Sequence, residues 1–323
     1  MPFTPKHYDI GFRPNSVAIQ GQLASFSHDT VTRLWEEFQD AAIHCFDDFE
    51  SPLKAVVNEE VDVAVIPYRN TIAGDVPYVH SLLGKKKLSI IGEFHLGVQF
   101  HLLTLPGAKM LDIKEVHSHS HALGQCRGYL ARHSNWDDIV NPDTGGAAKM
   151  VAELGDPTKA AIASSLAAHR YGLHKADWSI QDDKDPITRF FVFARDAKVP
   201  EIDPNSPRPP RMEYVTNLYI KPKRNVARHV TDVMKLFEEI LPDRHEPTLG
   251  KFDGDNFRQE GYSCEFMGHV DEKAVKTLMH RLGEICSEVS VIGCYKAHHF
   301  HRFPHRAGPK LAEGGYTYGL NVK

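Results

Sequence analysis

Residues 61–67 read Val61-Asp-Val-Ala-Val-Ile-Pro67, an apolar stretch interrupted only by Asp62, with the length and β-branched content of a buried strand. Its surroundings extend the pattern. Val17 to Gln20 is a short β-rich run, followed by turn residues and a helical stretch in which Leu34, Trp35 and Phe38 share a face. Leu88 to Ile91 and Asp112 to Ser118 read as further strands, and Ala122 to His133 and Gly145 to Leu154 as helices. Strands alternating with helices predict an α/β fold with a mainly parallel sheet, and place ligand chemistry in the loops at strand ends.

That alternation stops at Lys198 to Arg211, where Pro200, Pro204, Pro207, Pro209 and Pro210 favour an extended connector. Beyond it, Val215 to Ile220 is strand-like, Ala227 to Leu241 an amphipathic helix and Tyr262 to Met267 a strand. Ala274 to Cys286 is helical and Val289 to Tyr295 a closing strand. With one more strand within Glu246 to Asp253, the order is that of a small α+β sandwich with helices on one sheet face. From Ala297 onward there is no periodicity, and an irregular tail is expected.

Composition narrows the class of function. The 323 residues suit about two domains of ~150 residues each. With 41% hydrophobic and 25% charged residues, the chain is of ordinary globular type, neither disordered nor collagen-like. Lys+Arg 38 against Asp+Glu 42 gives a net charge of -4, too balanced for a chain that grips a nucleic-acid backbone. No apolar run approaches the ~18 residues of a membrane span, and Met1 to Asn15 has no apolar core of a secretory signal. Five cysteines without CxxC spacing point to reduced thiols and a cytoplasmic protein.

Six short segments, in order, resemble the prephenate dehydratase family with a C-terminal ACT domain. They are Gly21-Gln-Leu-Ala-Ser-Phe-Ser-His28, Ile66-Pro-Tyr-Arg-Asn-Thr-Ile-Ala-Gly-Asp-Val76, Gly92-Glu-Phe-His-Leu96 and Ser118-His-Ser-His-Ala-Leu-Gly-Gln-Cys126, then Ala160-Ala-Ile-Ala-Ser164 with Tyr171-Gly-Leu173, and finally Thr188-Arg-Phe190. The resemblance implies a bilobal catalytic domain over residues 16–196, of the type II periplasmic-binding-protein-like kind, crossing to its second lobe near residue 93 and returning near 180. A linker at 197–211, a ferredoxin-like ACT domain at 212–298 and an irregular tail at 299–323 follow. No chorismate mutase segment is expected before residue 16.

The implied reaction converts prephenate to phenylpyruvate, CO2 and water, in phenylalanine synthesis, without metal or organic cofactor. Such a site must hold a dianion, donate a hydrogen bond to the leaving hydroxyl and desolvate the departing carboxylate. By resemblance Thr188 is the donor and Arg189 the cation facing a substrate carboxylate. The turn Ala24-Ser25 is expected to offer exposed N–H groups to a second anionic group. Ser25, Asn70, Thr71, Ser164 and Phe190 are the remaining substrate-binding candidates, with Ser27 a weaker one. Each also has a plain structural reading: Ser25 and Ser27 as helix caps, Asn70 as a turn stabiliser, Thr188 as a β-former, Arg189 as an ordinary ion pair. His117, His119 and His121 alternate, so a strand would put three imidazoles on one face, but nothing completes a zinc set and no metal is expected. His298, His299, His301 and His305 read as a solvated tail.

The chain departs from the family in places. Arg69 stands where the family usually has Glu, Phe100 where histidine is common, Ser120 where proline is usual, and Ala24 in place of a second glycine. In the ACT-like part, Asn225-Val-Ala-Arg228 and His245-Glu-Pro-Thr-Leu-Gly250 replace the family's phenylalanine-binding motifs, so phenylalanine feedback is doubtful while assembly into a homodimer or homotetramer stays expected. Two other readings remain open: a prephenate decarboxylase-like enzyme that removes CO2 without aromatising, and a non-catalytic sensor of a small acid. Neither nucleic acid nor membrane is an expected partner. The choice between prephenate and arogenate is not legible in the residues.

Overall fold

A computed structural model describes residues 10–35, 41–72, 74–76, 88–183, 186–203, 209–223, 226–242, 248–251 and 261–298. The expected tail at 299–323 lies outside them, as do Phe38, Asn225 and His245. The chain forms two compact units: Arg13–Val76 with Phe94–Phe190, and Met1–Phe12 with Pro77–Glu93 and Phe191–Lys323.

The first unit holds the apolar run at 61–67. β1 (Ser16–Gln20) lies between β2 (Ala42–Phe46) and β3 (Val63–Asn70), all parallel, with Val17 beside Val63 and Ile19 beside Val65. Residues 63–66 are fully buried, as a central parallel strand requires. β4 (Gly74–Asp75) folds back on β3 antiparallel. α1 (Phe26–Leu34) and α2 (Ser51–Val57) pack on this sheet. β5 (Leu88–Gly97) is the next strand along the chain and belongs to the same sheet.

A second sheet contains β6 (His101–Thr104), β7 (Glu115–Ser118), β8 (Asp137–Val140), β9 (Lys159–Ala163) and β10 (His174–Asp177), in the order β10-β6-β9-β7-β8. β7, β8 and β9 are parallel, whereas β6 runs antiparallel to β9 and β10. Period-two alternation sends Leu102 and Ile162 into one core with Val98, Phe100 and Trp136. Leu103 and Ala161 enter another with Ala147, Val151 and Ala167.

The helix expected over 122–133 is two helices, α3 (Ser120–Gln125) and α4 (Arg127–Ala131). It breaks at Cys126, whose φ of -114° and ψ of 19° leave the helical region, and both Asp182 carboxylate oxygens take the Gly128 N–H at 3.0 Å. α5 (Thr144–Leu154) is capped by Asp143, and α6 (Ser165–Tyr171) by Ser164. β11 (Ile187–Arg195) returns beside β3. The boundary between the units falls within β5 and β11.

The second unit contains β12 (Tyr214–Pro222), α7 (Val226–Ile240), β13 (Thr248–Lys251), β14 (Tyr262–Met267), α8 (Lys273–Ile285) and β15 (Cys286–Lys296). The strand anticipated within 246–253 is β13. Strand order β13-β14-β12-β15 is that of the split βαβ, ferredoxin-like fold. Gly293 of β15 sits beside Ile90 of β5, where an added Cβ would lie 2.8 Å from the Ile90 Cβ. All five cysteines are free thiols. Among the described residues, no helix is long and apolar enough to cross a membrane.

Candidate active site

Thr188 lies where β3 ends beside the start of β11. Thr71 ties the two ends together: its N–H donates to the Ile187 carbonyl at 3.0 Å, and its Oγ1 accepts the Ile187 N–H at 3.0 Å. Next to it, Asn70 Oδ1 accepts the Ile72 N–H at 2.9 Å, which fixes the amide orientation. The Asn70 Nδ2 is thereby aimed at Thr188 Oγ1, to which it donates at 2.8 Å. A hydroxyl that accepts this bond keeps its own proton for another partner, and the incoming donor makes that proton more acidic. Asn70 is therefore both the turn stabiliser and the group that orients Thr188.

Thr188 is 9% exposed and Phe190 1%, and strand alternation puts both on one face of β11. Phe190 is a buried core side chain. Arg189 projects to the opposite face and is 4% exposed, its guanidinium carbon 5.7 Å from the Tyr68 ring centroid. The Arg69 guanidinium lies 5.8 Å from the same centroid, so one aromatic ring serves two cations.

Ser25 and Ser164 form a second group, joined through Ala24. Ser25 caps α1, its Oγ accepting the His28 N–H at 3.4 Å. Ser164 Oγ accepts the Ala167 N–H at 3.1 Å and donates to the Ala24 carbonyl at 3.2 Å, so its single proton is committed within the protein. The expectation of exposed N–H groups at Ala24 and Ser25 is corrected here. The Ala24 N–H donates to His28 Nδ1 at 2.9 Å and the Ser25 N–H to the Gln22 carbonyl at 3.1 Å. The turn is too tight to leave either free.

Ala24 has φ +68°, the left-handed region that a glycine occupies without steric cost. Across from it, Gly145 at the start of α5 comes so near that an added Cβ would lie 2.7 Å from the Leu23 carbonyl and from the Ser25 nitrogen. Tyr171 donates its hydroxyl to the Leu23 carbonyl at 2.7 Å.

The histidine alternation dissolves because β7 ends at Ser118. His119 caps α3 and His121 lies within it, while His117 is held by Glu115 at 3.0 Å and Asn141 at 3.2 Å. Glu115 also pairs with Lys159. Two residues stand out that the sequence reading did not select. Gln125 Oε1 is buried with no hydrogen-bond donor among the described residues, an acceptor of the kind a ligand satisfies. The only sign of it was its place in the Ser118–Cys126 segment. His28 was legible only as the end of the first segment.

Comparison with known proteins agrees with the geometry. The family model for prephenate dehydratase matches residues 17–198, over half of the chain. Arogenate dehydratase/prephenate dehydratase 1, chloroplastic, of Arabidopsis thaliana is 31% identical over 317 residues, covering 90% of this chain and 78% of that protein. A bifunctional N-acyl-homoserine lactone acylase/prephenate dehydratase of Komagataeibacter europaeus is 27% identical over 266 residues, 79% of this chain and 88% of that protein. Plant arogenate dehydratases from Petunia hybrida and Arabidopsis thaliana are 35% identical, and the chain spans only 46% and 47% of their length. The crystal structure of prephenate dehydratase in complex with L-Phe from Arthrobacter aurescens superposes with TM-score 0.73 at 22% identity, over 86% of this chain and 89% of that one, and so shares the fold. A two-sheet α/β unit, the motif order and the match across them lead to one conclusion: this chain belongs to the prephenate dehydratase family.

Proposed function

We propose that the chain converts prephenate to phenylpyruvate, CO2 and water, using Thr188 as the donor to the leaving hydroxyl. The observation that carries this reading is the Ile72 N–H to Asn70 to Thr188 sequence of hydrogen bonds, which leaves the Thr188 hydroxyl proton without an acceptor among the described residues. The bond from the departing carboxylate to the ring breaks, its electron pair enters the ring, and the C–O bond at the opposite carbon breaks to complete the aromatic system. Hydroxide would be a poor leaving group. A donated hydrogen bond stabilises it as it forms, and solvent supplies the proton that completes water. Threonine is a weak acid, so orientation rather than pKa matching does the work. Arg189 and Arg69 supply positive potential for the dianion, and Asn70, Thr71, Ser25 and Gln125 the neutral contacts. Ser164 holds the Ala24 turn beside Ser25, and Phe190 is part of the core.

The test is to incubate the purified chain with prephenate, and separately with arogenate, at neutral pH and identify the product. Phenylpyruvate from the first supports the reading. Phenylalanine from arogenate alone would move the substrate to arogenate. A non-aromatic dihydro keto acid would assign decarboxylation without dehydration, against the oriented Thr188. Binding without turnover would leave a sensor of small acids.

The C-terminal unit is read as an ACT-like assembly domain, supported by its split βαβ strand order, and the chain as a homodimer or homotetramer through it. The Komagataeibacter relative carries an acylase in its name, and one serine–histidine contact here would be the place to seek that chemistry. Ser165 Oγ lies 2.9 Å from His101 Nε2. His101 Nδ1, however, accepts the Ser179 N–H at 3.2 Å, so the neutral ring carries its proton on Nε2 and points it at Ser165. That imidazole is a donor where a nucleophile needs a base, and acylase activity is not extended to this chain.

A further inference from the structure

The turn from Gly21 to Ser25 is held by groups from four different elements. The Gly21 N–H donates to the Phe46 carbonyl of β2 at 2.8 Å. The Leu23 carbonyl accepts from Tyr171 of α6, and the Ala24 carbonyl from Ser164 at the start of the same helix. Gly145 of α5 fills the remaining space against the Ala24 peptide. These contacts bind a turn of the first sheet to helices of the second, within one unit. Only one anchor of the Ala24 peptide comes from its own helix: the N–H enters His28 Nδ1 at 2.9 Å.

That anchor depends on a proton. Neutral His28 with its hydrogen on Nε2 accepts the Ala24 N–H. Once Nδ1 is protonated, a donor faces a donor and the bond is lost. Ala24 keeps a left-handed backbone, which an L-residue adopts at a cost, and this bond and the one from Ser164 are the two that hold its peptide there. We infer that His28 is a positioning residue, whose neutral ring locks the Ala24 peptide so that Ser25 and the start of α1 stay seated against Ser164 and Gly145, and whose protonation releases the turn. Burial, and after it Arg170 of α6, hold the imidazole below its ordinary value, while Asp29 on α1 pulls the other way. Asp143, Cys45 and Tyr171 are further titratable groups around the turn among the described residues. The neutral, accepting form is thus the one the fold maintains at neutral pH.

The inference rests on the dehydratase reading for its activity readout, and on the turn alone for its others. The experiment uses the full chain with 15N-labelled histidine, and compares wild type, H28N, H28L and S164A. Asparagine places an oxygen near the Nδ1 position and cannot be protonated, whereas leucine keeps bulk without an acceptor. At pH 8, H28N should keep kcat/KM for prephenate within about 3-fold of wild type, and H28L should lose more than ~30-fold, as misplacement of site groups does. As pH falls from 8 to 5, wild-type activity should decline in step with the His28 ring titration seen by NMR, and H28N should lack that limb. At one fixed pH, amide exchange of residues 21–27 should be slow in wild type and H28N, and faster in H28L and in S164A, which removes the other anchor.

Equal behaviour of H28N and H28L, unchanged exchange in H28L, or a His28 tautomer with the proton on Nδ1 would each overturn the inference. If neither prephenate nor arogenate is turned over, the exchange and tautomer results still decide it, and the failure then belongs to the proposed function. If H28L does not fold, S164A exchange and the H28N pH profile decide.

Discussion

Replacing Thr188 by valine removes one oxygen and almost no volume, so it isolates the hydroxyl proposed to act on the substrate. Two effects follow. The catalytic one is loss of a donor aimed at charge that develops in the transition state, worth about 2.7–4 kcal/mol, or ~10²–10³ in kcat. The structural one is that Asn70 Nδ2, which donates to Thr188 at 2.8 Å, loses that acceptor in a part-buried place, at a cost of up to about 1–3 kcal/mol of stability. For a unit of this size that lowers Tm by about 2–4 °C per kcal/mol, so the variant remains folded at assay temperature. T188V should therefore turn prephenate over ~100–1000-fold more slowly, with KM within about 3-fold, because ground-state binding rests on the cations and neutral donors. T188S keeps the hydroxyl and should stay within about 10-fold of wild type. The assay is formation of phenylpyruvate under saturating prephenate, with a thermal melt on the same preparations. A folded T188V with kcat within tenfold of wild type would refute the role given to Thr188.

Asn70→Asp changes a donor into an acceptor at constant shape. Thr188 must then turn its proton toward the introduced carboxylate rather than toward substrate, so kcat should fall ~100-fold without loss of fold, and KM should rise from the added negative charge; steady-state kinetics with prephenate checks both. Gly145→Ala and Gly124→Ala should move stability in opposite directions. At 145 the new Cβ meets backbone at 2.7 Å and should cost about 1–3 kcal/mol, whereas at 124 it meets nothing and should gain up to ~1 kcal/mol from helix propensity; urea melts of the two variants decide it. Burial, with Lys175 second, pushes His101 down to about 4. Its contribution is present in full above pH ~6.5, where both states are neutral, and is lost as pH falls toward 4, where the unfolded ring takes up a proton and the folded one resists. Wild-type stability should drop by at most ~3 kcal/mol across that window, and His101→Gln should flatten the drop in chemical-denaturation curves.

Residues reveal structure best where local patterns are self-sufficient. The strands at 17–20, 61–67 and 262–267 are visible as short, β-rich, mostly apolar runs that end up buried on both faces, and the helices at 145–154, 227–241 and 274–286 because a period-3.6 pattern is written into neighbouring positions. The 122–133 stretch is legible as helix but not as broken, because the group that interrupts it is Asp182, more than fifty positions away. The three alternating histidines give a false period for the opposite reason: the strand that would align them ends at Ser118, a boundary set by pairing with β8 and β9.

For the candidate site the division is the same. The residue types, and the segments that carry them, follow from the sequence, and so does membership in a family whose chemistry needs a donor and cations. Which hydroxyls still have a proton to give does not. Thr188 and Ser164 are indistinguishable in composition terms, one hydroxyl each at a strand end. Only the folded chain sets Asn70 beside the first, 118 positions apart, and spends the proton of the second on Ala24, 140 positions away. Hydrogen bonding is short-ranged and directional, so the commitments of a polar atom are decided by what folding brings within about 3 Å of it. Local sequence sets backbone preference and burial, but these partners come only from tertiary structure.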